Sequence, residues 1–149
     1  MQVTNDNRPE YIKRLEHLLY GNNYQVSLDV YGPLDSGAPL IDILKSAVNS
    51  SCVVSRCAPV SLNEVREQVL EWLLYPGDLG SGPLDLDIKH AEIRALAEQL
   101  LQGAQLDNAD AAYDFYLANG HPGYPVFWEF AYDIHASGKR WILLGSSSD

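Results

Sequence analysis

Cysteine is almost missing from this chain of 149 residues, and lysine and arginine vanish altogether between Ala95 and Gly138. The two cysteines, Cys52 and Cys57, are too few for a disulfide framework, and no histidine stands close enough in sequence to complete a zinc site. They are expected to be ordinary buried or half-buried thiols. No apolar run approaches the roughly 18 residues that a membrane-crossing helix needs. The amino terminus, MQVTNDNRPEYIKR, is polar and has no apolar core of the kind a signal peptide carries, so a cytoplasmic location is expected. Motifs of catalysis are missing too. There is no G-x-S-x-G elbow, GDLGSGPLD has the wrong spacing for a phosphate-cradling loop, and SRCAPVS matches no catalytic-cysteine signature.

What is present is acid. The net charge is −10, and the stretch without basic residues holds Glu98, Asp107, Asp110, Asp114, Glu129 and Asp133. Such a field repels nucleic acid and anionic membranes, so neither is an expected partner; it attracts basic protein surfaces. The plainer alternative is that the acids only keep the molecule dissolved.

Periodicity supplies the elements. Asn7-Arg8-Pro9-Glu10 has a cap and a proline where helices start, and Ile12, Leu15 and Leu19 share one helical face until Gly21. NYQVSLDVYG alternates as a half-buried strand. A helix is predicted near residues 38–49, followed by a short buried strand at Cys52–Val54, and that order suggests a crossover between parallel neighbours. Ser61 and Glu64 form a capping box for the next helix, Asp87 can cap another, and a short helix is predicted over residues 108–117. The loop NGHPGYP leads into VFWEFAYDIHASGKRWILL, a β-hairpin whose second strand is apolar on both faces, with Gly145–Asp149 as a solvated tail. The sum is a single α+β domain spanning residues 1–149, a small mixed sheet with a carboxy-terminal hairpin and helices mainly on one face.

The first hairpin strand poses the functional question. Trp128, Phe130, Tyr132 and Ile134 make one face, and Glu129, Asp133 and His135 lie on the other, which is expected to be open to water. His121, Asp133 and His135 offer an enzyme reading, a small hydrolase or transferase with carboxylate-oriented imidazole. Cys57, beside Arg56, is a second chemical candidate. Neither comes with a supporting motif, and no cofactor or metal is implied.

A third constellation couples acid with aromatic, in LDVYGPLD, DNADAAYDFY and WEFAYD. Tyrosine beside fixed negative charge suits a surface that docks a cationic protein, the rings providing contact area and the carboxylates pairing with arginine or lysine. The segment DNADAAYDFYLANGHPGYPVFWEFAYDIH resembles, in this charge-and-aromatic character, the immunity proteins of bacterial polymorphic-toxin and contact-dependent inhibition systems. That resemblance implies a non-catalytic inhibitor that binds a cognate toxin domain, often a basic nuclease, and blocks its active site or substrate groove. The expected contact residues are Asp107, Asp110, Asp114, Glu129 and Asp133, with Tyr116 and Tyr124 as anchors. A further alternative is a regulatory domain that oligomerises through an exposed Trp141 strand.

Overall fold

A computed structural model describes residues 6–78 and 80–149; the first five residues of the polar amino terminus and Leu79 of the GDLGSGPLD loop lie outside the described residues. The chain is α+β. Its order is α1 (Glu10–Leu19), β1 (Gly21–Asn22), β2 (Gln25–Asp35), α2 (Leu40–Ala47), β3 (Val53–Val60), α3 (Leu62–Leu73), β4 (Gly82–Pro83), α4 (Leu86–Gly103), a 3₁₀ turn (Leu106–Asn108), β5 (Ala111–Asn119), β6 (Trp128–Ala136) and β7 (Lys139–Ser148). The short β1 and β4 pair with each other, and the five long strands form one sheet in the order β2-β7-β6-β5-β3.

Every pairing in that sheet is antiparallel, so the expected mixed sheet is not formed. The predicted crossover joins two strands running the same way, but β2 and β3 stand at opposite edges with three strands between them. The hairpin is as predicted. Ser137 and Gly138 both have positive φ, which matches the twist a two-residue turn needs, and residues Trp128–Ala136 run in register against Lys139–Ser147.

Three helices lie on one face. Ile12, Leu15 and Leu19 of α1, Val65 and Val69 of α3 and Ile93, Ala97 and Leu100 of α4 bury against Leu28, Trp128, Phe130, Tyr132 and Ile134. The Trp72, Trp128, Phe130 and Tyr132 rings stack in sequence with centroids 6.1, 5.7 and 5.8 Å apart, a continuous aromatic spine of one α3 ring and three β6 rings. Ser61 caps α3 by accepting from the Glu64 N–H at 3.1 Å. Asp87 lies inside the first turn of α4 rather than at its cap, which is Asp85. α1 is tied to β2 through Glu16, which accepts from the Leu28 N–H at 2.8 Å and from Arg8 at 2.6 and 2.8 Å.

Two expectations fail for one reason. Of residues 108–117, predicted as a helix, Asn108 ends the 3₁₀ turn and residues 111–117 belong to β5, and the serine tail is the end of strand β7, with Ser146 and Ser147 buried. In both segments neighbouring strands supply the backbone hydrogen bonds that local preference does not demand: β3 and β6 flank the start of β5, and β2 and β6 flank the serines. On the second face α2 covers Phe115, Leu117, Ala131, Ile142 and Leu144 through Leu44. Strand β7 is therefore central, and the Trp141 segment offers no free edge for oligomerisation. None of the helices among the described residues is long and apolar enough to cross a membrane.

Candidate functional site

β5 and β6 begin as partners and then part. Ala111–Asp114 pair with His135–Tyr132, and the ladder stops there. β5 runs on to Asn119 with β3 alone as its neighbour, while β6 from Trp128 to Ala131 is paired with β7 alone. The connection between them is the cause, because its two ends are anchored to different places. On the β5 side Asn119 donates to the Ser51 carbonyl at 3.0 Å, and Gly120, at φ +87°, lies so close to Cys52 that an added Cβ would stand 2.7 Å from that residue's backbone. On the β6 side the Val126 and Phe127 N–H groups both donate to the Ser147 carbonyl at 2.8 and 3.2 Å, and Gly123 lies against Ser146 and Ser27 where no side chain fits. One anchor pulls toward β3, the other toward β7, and the sheet opens between them.

The opening is bordered on both sides by Tyr116 and Glu129. A cleft of about 430 Å³ lies toward the loop, lined by Asn49, Ser51, His121 and Tyr124 among others. A second, of about 290 Å³, lies under α3, lined by Arg56, Gln68, Glu71, Trp72, Asp114 and Tyr132. Tyr116 is 42% exposed and Tyr124 86% exposed, so both expected anchors are available to a partner.

Electrostatics at the opening are unbalanced. Arg56 Nη2 stands 3.7 Å from Asp114 Oδ1, a loose pair with the arginine largely in solvent. Glu129 has no ion pair or hydrogen bond among the described residues, and burial pushes its carboxyl above the ordinary glutamate value. Burial also raises the Tyr132 phenol, whose hydroxyl donates to Gln68. His121 is driven below the ordinary histidine value by burial, opposed by backbone at Gly145 and Gly123, and its Nδ1 accepts from the Gly123 N–H at 3.2 Å.

The other expected contact residues lie elsewhere. Asp107 is exposed on the 3₁₀ turn and binds Arg66 at 2.6 Å, the same arginine that holds Glu98. Asp110 is exposed at the start of β5, beside the hairpin-turn end of β6. Asp133 is a correction: it is 3% exposed and cannot be a surface contact. Arg140 grips both of its oxygens, at 3.0 and 3.1 Å, and passes further hydrogen bonds to the carbonyls of Ala38 and Asp35 at 2.7 and 3.3 Å. The face predicted to be open is covered there by the β2–α2 loop. The basic-free stretch is thus neutralised in part from outside itself, by Arg56, Arg66 and Arg140.

The chemical constellations do not assemble. His135 Nε2 lies 3.2 Å from Asp133 Oδ1 but without hydrogen-bond geometry, and Tyr113 stands edge-on to the imidazole at 5.5 Å. His121 sits by Gly145, whose partner on β6 is Phe130, five residues from His135 and thus about 17 Å along the strand. Cys57 is exposed, yet its thiol is raised, by burial and then by Asp133 and Asp114, the reverse of activation. Arg56 reaches Asp114 on the other face of the sheet.

Sequence reasoning named Arg56 only as the neighbour of Cys57 and missed Gln68, Glu71 and Trp72 as site residues; these reach the opening from an edge strand and a helix far away in the chain. The one local signal was the loop at residues 120–127, too long and too rich in proline and glycine for a tight hairpin between two paired strands. No protein-family model, curated protein or solved structure matches this chain.

Proposed function

We propose that this chain is a stoichiometric inhibitor of the immunity type, a bacterial cytoplasmic protein that neutralises a basic toxin domain by binding it at the opening between β5 and β6. One observation carries the reading: two exposed tyrosines stand beside Glu129, a half-buried carboxylate with no partner among the described residues, at the mouth of an open cleft. Burial without a partner leaves Glu129 poorly compensated, and a docking cation supplies what is missing. Tyr116 and Tyr124 add large rigid contact area around that charge. The net charge of −10 steers a basic partner inward from a distance.

The contact set narrows to Asp114, Tyr116, Tyr124 and Glu129, with Asp107 and Asp110 contributing at most to steering. The test is quantitative binding of the product of the adjacent gene to the wild-type chain and to Tyr116→Ala and Glu129→Lys. Each variant is expected to lose at least tenfold in affinity, and a rise from 50 to 500 mM salt to slow association. Undiminished affinity in both variants sinks this surface.

A further inference from the structure

We propose that the opening between β5 and β6 is a receptor for one arginine side chain, presented on a loop of the basic partner. This rests on the docking role just given and adds the chemistry that the cleft selects. Four features argue for arginine. Phe115–Asn119 and Trp128–Ala131 have no strand partner across the gap, so backbone N–H and C=O groups freed from the ladder border it, and the carbonyls among them can accept. Glu71, Asp114 and Glu129 line the same space. A guanidinium carries five N–H donors and no acceptor, which suits a rim of carbonyls and carboxylates. Tyr116, exposed at the rim, supplies a ring on which a planar cation stacks, and a lysine ammonium gains less from each of these groups.

The molecule already contains the interaction in weak form. Arg56, two-thirds exposed, lines the cleft and stands 3.7 Å from Asp114, beyond hydrogen-bond reach. An incoming arginine competes with it for Asp114 and meets Glu129 unopposed. The opening is closed at one end by the Asp114–Tyr132 pairing and at the other by the loop at residues 120–127, so the occupant is a side chain on a protruding loop rather than a threaded strand.

The probes are a short cyclic peptide with a single arginine and its lysine and citrulline counterparts, titrated into the full chain and followed by amide NMR. The arginine peptide is expected to move the amides of Phe115–Asn119 and Trp128–Ala131 saturably, with the lysine peptide about tenfold weaker and the neutral citrulline peptide without effect. Glu129→Gln is expected to weaken the arginine peptide about tenfold, and Arg56→Gln to strengthen it several-fold by releasing Asp114. Indistinguishable arginine and lysine peptides, or an Arg56→Gln variant that binds no better, overturn the receptor. If the protein partner nevertheless remains sensitive to Tyr116→Ala, the inhibitor reading survives that result; if the partner ignores both Tyr116 and Glu129, both readings fall together.

Discussion

Glu129 and Asp133 stand on the same face of one strand, four residues apart, and the fold gives them opposite surroundings. Asp133 lies beneath the β2–α2 loop with Arg140 on both oxygens. Glu129 lies where β5 has turned away, half-buried and without a partner among the described residues. A third carboxylate, Asp29 on the edge strand β2, is intermediate: burial pushes it up to about 6, and Arg8 at 3.9 Å only partly opposes that. The lesson is that the same residue type in the same strand pattern becomes structural or available according to what crosses over it. Arginine decides which.

The comparison breaks most severely at Arg140. Arg140→Met leaves Asp133 buried and uncompensated, and chemical denaturation is expected to register a loss of about 3–5 kcal/mol; a loss below about 1 kcal/mol contradicts the closed end. Asp29 sharpens the middle case. Its folded-state value lies above its ordinary one, so the ionised form opposes folding: the stabilising effect of protonation is complete below about pH 4 and lost as pH rises through about 6. Asp29→Asn is accordingly expected to gain about 1–3 kcal/mol over wild type at pH 8, with the difference fading below pH 4. Equal denaturation curves at both pH values remove the desolvation argument.

Gly120→Ala probes what holds the opening. Its φ of +87° and the 2.7 Å approach to Cys52 backbone should make the added methyl cost about 1–2 kcal/mol, and shift the amide resonances of Phe115–Asn119. The smallest effect belongs to Glu129→Gln, expected to change stability by no more than about 0.5 kcal/mol while weakening the partner. A stability loss as large as that at Arg140 would mean that Glu129 is structural after all.

How much of this was legible is best seen residue by residue. The hairpin could be read because alternation from Trp128 to Ile134 and a turn at Ser137-Gly138 are both local signals. The Ser61 cap was local too. The stretch Asn108–Leu117 misled, since Ala112, Tyr113 and Tyr116 fit a helical stripe while Ala112, Asp114 and Tyr116 fit a strand equally well; β3 and β6 settled it by pairing from Ala111 onward. The serines of β7 carry no strand preference of note, and their burial follows from being enclosed between β2 and β6.

By itself the amino-acid order determined the α+β class, the identity of the aromatic face of β6, the acidity of the middle of the chain and the looseness of the segment before Trp128. Only the tertiary structure decided that Asp133 is sealed and Glu129 is not, that Arg56, Arg66 and Arg140 come from outside to neutralise the acidic stretch, and that β5 and β6 separate. Periodicity reports a side chain's face relative to its own strand, whereas burial, ion pairing and the gap between two strands depend on groups distant in sequence that meet only when the sheet is assembled.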